Sequence, residues 1–324
     1  MTELPWLWIG FTVFIGAMLA VDLGVLNREA HVVRIREAAR WTVIVVASAL
    51  LFNAWIFAAR GTEDGLEFLT GYVIELALSM DNIFVFIVIF AYFRVPREYQ
   101  HRVLFWGILG ALVMRGAMIA AGWLLLERFQ WIIYVFGAFL LVTGVRTSFG
   151  GTLEVEPEAN PFLKLIRRFV PVSERYEGSR FFVRVPEGTG MRLVATPMLV
   201  VLVIVETTDV IFAVDSIPAV FGITTDPFIV FTSNVFAILG LRSMYFLLAG
   251  TVERFHYLKL GMAAVLTFIG AKMVATYWDV HVPIGASLGV VGILLGTSIV
   301  ASLVFPKPED SGSETGETSE TTVP

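Results

Sequence analysis

Five carboxylates lie within two long apolar stretches of the sequence. The first stretch holds Glu75 and Asp81, and the second holds Glu206, Asp209 and Asp215. Carboxylates that lie close together repel one another, so at neutral pH they either retain protons or bind a cation. Because metal binding displaces protons from such groups, they are suited to exchanging one for the other. The spacing therefore predicts a site at which a metal ion and protons compete.

The neighbouring side chains offer mainly oxygen ligands. Asn82 supplies an amide oxygen, and hydroxyl groups come from Ser79, Thr207, Thr208 and Ser216. Oxygen ligands favour Mg²⁺, Ca²⁺ or Mn²⁺. The sequence has no cysteine and only four histidines, all outside the apolar stretches, so a Zn²⁺ or Cu⁺ site is poorly supplied. We expect no bound cofactor and a transported divalent cation, Mn²⁺ first.

An ideal helix separates the carboxylates of the first stretch. Steps of four and seven residues place Ser79 and Asn82 on the same face as Glu75, whereas Asp81 lies about 240° away. For all of them to contribute to one site, the helix must be interrupted. We therefore expect a break around Ser79–Asn82.

The second stretch poses the same problem. Glu206, Asp209 and Ser216 share a face, whereas Asp215 lies about 180° from Glu206. Pro218 cannot donate a helical hydrogen bond and should kink or unwind the preceding turn. This predicts a second break, around Asp215–Pro218, that swings Asp215 toward the other carboxylates.

Four further polar residues accompany the apolar stretches. For Arg115 and Arg242 the favoured interpretation is an ion pair with a carboxylate that holds the helices together, and the alternative is gating of the pathway. Asp22 and Asn234 could line the same path or could cap and cross-link helices. The sequence leaves both alternatives open.

The elements that must position these residues are membrane-spanning helices. Of the 324 residues, 57% are hydrophobic and 16% are charged, and the mean hydropathy is +0.79. The length of each apolar stretch is close to the roughly 20 residues that a helix needs to cross a bilayer. The sequence predicts an all-α polytopic membrane protein with nine spans, at 6–26, 41–59, 66–93, 103–126, 131–149, 194–220, 228–249, 257–277 and 283–305.

The distribution of basic residues predicts the orientation. Of 23 Lys and Arg residues, 18 lie on one side of the predicted spans, two on the other and three within spans. Basic loops stay in the cytoplasm. The amino terminus is therefore predicted outside and the carboxyl terminus in the cytoplasm.

Two units of three spans share landmarks in the same order. Each unit has an Asp, then an Arg, then a Gly: Asp81, Arg115 and Gly144 in the first, and Asp209, Arg242 and Gly270 in the second. The intervals are 34 and 29 residues in the first unit and 33 and 28 in the second. Since the units start from opposite sides, they predict an inverted repeat, which in secondary transporters surrounds a midplane site built from discontinuous helices.

The chain divides accordingly. We expect two peripheral helices in 1–60, repeat one in 66–149, a cytoplasmic loop with a short helix and a hairpin in 150–193, repeat two in 194–277, a last helix in 283–305 and a disordered cytoplasmic tail in 306–324.

Three segments resemble the signatures of the TerC/Alx family of bacterial membrane proteins. They are Glu75–Asn82, Val205–Pro218 and Thr232–Ser243, and the predicted hairpin is also similar to the family's loop. The family is named for an association with tellurium resistance, and members are implicated in Mn²⁺ export. The resemblance implies a bacterial plasma membrane protein, with all five carboxylates in the metal path.

The predicted function is export of a hard divalent cation by proton antiport, with the lipid bilayer, the metal ion and protons as partners and no nucleic acid. Alternatives are export of Ca²⁺ or a cationic amino acid, and a scaffold without transport in the response to metal or tellurium stress. An intramembrane aspartyl protease is excluded, since neither Asp81 nor Asp209 lies in a Gly-x-Gly-Asp element. We therefore expect no enzyme activity.

Overall fold

A computed structural model describes residues 5–21, 33–149, 171–173, 175–187, 190–250 and 252–305. Over these ranges the chain forms nine α-helices and one hairpin, and each helix corresponds to one predicted span. The helices are α1 (Pro5–Val21), α2 (Ile35–Ala59), α3 (Thr62–Tyr92), α4 (Arg97–Arg128), α5 (Ile132–Ser148), α6 (Pro197–Phe221), α7 (Pro227–Leu248), α8 (Leu258–Ala275) and α9 (Ile284–Val304). The all-α membrane architecture is confirmed.

Seven of these helices are long and apolar enough to cross a membrane. The other two, α1 and α5, have 17 residues each. At 1.5 Å per residue they rise about 25 Å, slightly less than the hydrocarbon thickness of about 30 Å. The structure thus supports a multi-pass membrane protein.

The interruptions predicted in the two acidic helices are absent. Helices α3 and α6 are continuous through Ser79–Asn82 and Asp215–Pro218. The first segment contains neither Gly nor Pro, the two residues that most strongly oppose a helix. Pro218 lies in the last turn of α6, where its missing N–H removes a single hydrogen bond just before the helix ends at Phe221.

Helices α3 and α7 form the centre of the bundle. Helix α7 is the most enclosed of the seven long helices, since 94% of its apolar 18-residue stretch is buried. Helix α3 packs against α2, α6, α7 and α9, while α4 packs against α6 and α7. Two carboxylates of these helices, Glu75 of α3 and Asp209 of α6, are therefore buried inside the bundle.

Helices α5 and α8 pack closely through glycines. A Cβ at Gly144 would lie 2.7 Å from the Thr267 amide nitrogen, and one at Gly270 would lie 2.7 Å from the Leu141 amide nitrogen. Because these are backbone atoms, they can yield only if the helices separate. Small residues permit such backbone contact between membrane helices.

The connector before α6 contains an antiparallel hairpin of β1 (Phe182–Glu187) and β2 (Gly190–Ala195), where the sequence predicts one. The Tyr176 hydroxyl donates to the Phe93 carbonyl at 2.7 Å and attaches the connector to the end of α3. Burial raises the pKa of Tyr176 to about 12, so the hydroxyl remains a donor at neutral pH. The predicted short helix in the connector, the tail and Asp22 lie outside the described residues.

Candidate functional site

Arg115 of α4 lies between two carboxylates in the interior of the bundle. Its side chain is 2% exposed. The guanidinium holds Asp209 with two bonds, from Nε to Oδ2 at 3.0 Å and from Nη2 to Oδ1 at 2.9 Å. Nη1 donates to Glu75 Oε1 and, at 3.3 Å, to the Ser216 hydroxyl. We call Glu75, Arg115 and Asp209 the Arg115 triad; it joins α3, α4 and α6.

The triad carries a formal charge of one negative unit when all three groups are ionised. Forked contact between a guanidinium and a carboxylate is the strong form of this ion pair. Removing charges from water is costly, and a buried pair is stable only when its geometry is good and its remaining polar atoms are satisfied. The pairing predicted for Arg115 is therefore present, and it leaves one carboxylate charge without a cation.

Helix α3 presents a face of polar residues to the triad. Glu75, Ser79 and Asn82 are all buried, as expected from their common face. The Asn82 amide donates to Asp209 Oδ1 at 3.3 Å. Three further atoms on this face, Glu75 Oε2, Ser79 Oγ and Asn82 Oδ1, have no hydrogen-bond partner among the residues that the structure describes. These oxygens are the ligand type that hard cations prefer.

Glu206 lies one helical turn before Asp209 and is half-buried. Its carboxylate fits against Gly110 of α4, where a Cβ would overlap it. One carboxylate oxygen, Oε2, is buried without a hydrogen-bond partner in the described part of the chain. Gly110 thus makes room for a third carboxylate near the triad.

Asp81 and Asp215 make no contact with the triad among the hydrogen bonds and ion pairs of the described residues. Asp81 follows Leu78, which packs on the cluster around α8, and its charged neighbour is Lys259 of that helix. Asp215 is half-buried and lies nine residues after Glu206, on the opposite side of α6. Since α6 is continuous, Asp215 does not reach the other carboxylates. Among the described residues, no three Asp, Glu or His side chains are placed to hold a metal ion by themselves.

The remaining predicted residues lie on α7. Arg242 is buried and lines a small cavity with Trp41 of α2 and Phe105 of α4. Asn234 is 1% exposed, and neither polar atom of its amide has a hydrogen-bond partner among the described residues.

Sequence reasoning overlooked two buried polar residues, one on α2 and one on α3. The Tyr72 hydroxyl and Asn53 Oδ1 also have no partner in the described residues. Tyr72 lies three residues before Glu75 on the same side of α3, and Asn53 is an amide within an apolar helix. Polar residues inside membrane spans are often functional, so their positions alone could have indicated them.

The chain is similar to known integral membrane proteins. Residues 60–310 match the family model described as "Integral membrane protein TerC family". A relative from Myxococcus xanthus, "Uncharacterized membrane protein STKORF319", is 55% identical over 93% of this chain and 92% of its own. One from Escherichia coli (strain K12), "Putative membrane-bound redox modulator Alx", is 48% identical over 93% and 95%. An "Uncharacterized membrane protein" from Rickettsia bellii is 38% identical over 92% and 97%. No solved structure matches the chain.

Proposed function

Because the chain belongs to the TerC family of integral membrane proteins, we propose that it exports a hard divalent cation, Mn²⁺ first, from the bacterial cytoplasm in exchange for protons. The observation that carries this proposal is the Arg115 triad, in which two carboxylates from different helices hold one cationic side chain inside the membrane. Intramembrane ionisable groups commonly mark ion pathways and proton relays.

Arg115 acts in this proposal as a tethered cation that occupies the position of the cargo. Glu75 and Asp209 together balance one divalent ion, and Ser79 and Asn82 add neutral oxygen ligands. When Arg115 withdraws, the ion replaces it; when the ion leaves, Arg115 and protons neutralise the carboxylates again. The exchange never leaves both carboxylates buried without a positive charge, which would be costly.

The ligand set supports a hard cation. Met80, the one soft ligand near Asp81, packs against two apolar clusters. Carboxylate, amide and hydroxyl oxygens then remain, which suit Mn²⁺, Mg²⁺ or Ca²⁺. A cationic amino acid would also need a receptor for its α-carboxylate, and Arg115 is already engaged by two carboxylates.

The name of the Escherichia coli relative includes a redox role. The present chain contains no cysteine, so it cannot perform thiol–disulfide exchange with its own side chains. Any redox effect in the cell would then follow from the metal that it moves.

The test is flux of ⁵⁴Mn²⁺ into proteoliposomes under an imposed pH gradient. We expect gradient-driven flux for the unmodified protein and for Glu177→Gln, a control in the exposed connector, and loss of flux for Glu75→Gln and Asp209→Asn. Absence of flux in a folded unmodified protein, or retained flux in both site variants, would reject the proposal.

A further inference from the structure

One face of the hairpin carries large apolar side chains that are exposed. The register of the two strands pairs Arg184 with Leu193 and Pro186 with Met191. Paired residues, and residues two positions further along a strand, point to the same side of a sheet, so Phe182 shares this face. The exposed fractions of Phe182, Leu193 and Met191 are 45%, 54% and 70%. We call these five residues the apolar face of the hairpin.

The base of the hairpin is fixed to the bundle at the level where membrane helices leave the lipid. Phe181, just before β1, packs its ring against Trp106 of α4, with the ring centroids 6.4 Å apart. Trp106 is 44% exposed and lies nine residues into α4, about 13 Å along the helix. Tryptophan is enriched at membrane–water interfaces. The hairpin therefore starts beside the bilayer surface.

Two further contacts hold this base in place. The Arg102 guanidinium lies over the Phe181 ring at 5.6 Å from its centroid. The Thr196 amide donates to the Phe181 carbonyl at 2.9 Å, and α6 begins at the next residue, Pro197. The hairpin is therefore attached to both α4 and α6 where it begins and ends, and it cannot move far from the bilayer surface.

Arginines dominate the charge of the hairpin and its base. Arg184 lies on the apolar face and Arg192 on the opposite one, and both are exposed. Guanidinium groups hold phosphates with paired hydrogen bonds, and their long apolar stems let the charge stay at the headgroups while apolar neighbours lie deeper. The other exposed charged side chains described near the base are Arg102, Arg175, Arg180 and Glu177.

We propose that the apolar face of the hairpin binds the surface of the surrounding bilayer, with Phe182, Met191 and Leu193 among the lipid chains and Arg184 on the phosphate of an anionic phospholipid. Apolar side chains beside basic ones hold peripheral segments in the membrane interface. A two-stranded hairpin is at best marginally stable in water, and lipid contact supplies the apolar burial that this face lacks within the chain.

The charge at this end of the bundle favours lipid over a second copy of the chain as the occupant. A second copy would have to present an acidic surface to Arg184, whereas an anionic phospholipid supplies the negative charge directly. Outside the connector, the exposed charged residues described at this end are mainly basic. They include Arg34, Arg36, Arg40, Arg94, Arg97, Glu98 and Arg254.

Spin labels on single cysteines test where the hairpin lies. The full chain, which has no cysteine of its own, is placed in nanodiscs of phosphatidylethanolamine and phosphatidylglycerol that hold one chain each. Electron paramagnetic resonance then compares collisions of the label with oxygen, which is enriched in lipid, and with a nickel chelate, which stays in water. We expect Met191→Cys and Leu193→Cys to meet mainly oxygen.

Val185→Cys is the matched control for these labels. Val185 is 41% exposed in the same hairpin but lies on the opposite face, so its label should meet mainly the nickel chelate. Equal nickel-chelate contact at all three positions overturns the proposal. Protection of positions 191 and 193 that appears only in nanodiscs with two chains also overturns it, because a second copy then covers the face.

The role of Arg184 is tested with the label at position 191. Arg184→Gln in anionic nanodiscs should raise nickel-chelate contact several-fold, as should nanodiscs of phosphatidylcholine alone without that change. Arg180→Gln, on an exposed arginine outside the apolar face, should have no effect. All these side chains are exposed, so the substitutions leave the bundle folded. Contact that responds neither to lipid charge nor to Arg184→Gln rejects the assignment of Arg184 to a lipid phosphate.

Discussion

At the residue scale, the stability of the bundle depends on Arg115 because two buried carboxylates share its charge. In Arg115→Gln both Glu75 and Asp209 lose their cation, and breaking a buried pair from one side costs about 3–5 kcal/mol. We expect a clearly lower melting temperature in detergent. Arg184→Gln, on an exposed strand residue, should leave it unchanged.

Removing one of the uncompensated charges should reverse part of this loss. In Arg115→Gln, the additional change Glu75→Gln should raise the melting temperature again, since residues in one ion-pair network are not additive. If the two losses simply added, Arg115 and Glu75 would not be energetically coupled and the assigned pairing would be wrong.

A second prediction at this scale concerns Gly110, which leaves space for the Glu206 carboxylate. Gly110→Ala should displace that carboxylate and raise the Mn²⁺ concentration needed for half-maximal flux, as Glu206→Gln should. Gly292→Ala, where a Cβ meets nothing within 4 Å, is the control. Unaltered Mn²⁺ dependence in Gly110→Ala would exclude Glu206 from the path.

Helical periodicity was sufficient to predict which residues share a face. Glu75, Ser79 and Asn82 are buried together, and Asp81 points elsewhere. The position of Arg115 between Glu75 and Asp209 could not be predicted. It depends on how three helices pack and on where along its length each helix crosses the others. Periodicity describes one helix at a time.

At the scale of elements, the nine helices were predictable because each needs only enough apolar residues to cross a bilayer. The two predicted interruptions were wrong because they assumed that all five carboxylates contribute to one site. The structure instead leaves Asp81 and Asp215 outside the Arg115 triad. A single Pro near a helix end does not unwind the helix.

The inverted repeat stays a prediction, and the contacts of α5 and α8 support it. Gly144 faces Ala263 and Thr267, while Gly270 faces Gly137 and Leu141. One shift of 126 positions carries 144 to 270, 137 to 263 and 141 to 267. Each contact therefore has a counterpart in which the two helices exchange roles, as a two-fold axis between them requires.

The contacts made by α3 and α6 favour a different alignment of the two units from the one that matches Asp81 with Asp209. Gly71 on α3 contacts Ser233 on α7, and Gly107 on α4 contacts Val205 on α6. If these contacts are equivalent, positions 71 and 205 correspond, a shift of 134, and 107 and 233 correspond, a shift of 126. The acidic residues then match with equal spacing: Glu75 with Asp209, and Asp81 with Asp215.

The close packing of α5 on α8 yields a prediction for these elements. Gly270→Ala places a Cβ 2.6 Å from the Gly137 carbonyl oxygen, and backbone cannot move aside as a side chain can. Overpacking of this kind costs about 1–3 kcal/mol. We expect a lower melting temperature than for Gly289→Ala, where a Cβ meets nothing within 4 Å. Equal melting temperatures would show that the two helices separate freely.

At the scale of the whole molecule, composition alone established the membrane class, but the orientation rests on charge bias and stays a prediction. The chain contains no cysteine, so single cysteines can be introduced without further changes. Glu63, at the start of α3, and Arg184, in the hairpin, are both exposed and lie on opposite predicted sides.

In intact cells, an impermeant maleimide should label Glu63→Cys, and Arg184→Cys should react only after the membrane is permeabilised. The physical reason is that most basic residues lie on the side of the hairpin, where they stay in the cytoplasm. This result would make the end of the bundle where α3 begins the outer one, as the predicted orientation requires. The opposite labelling pattern would place the hairpin outside the cell and would show that the predicted orientation is wrong.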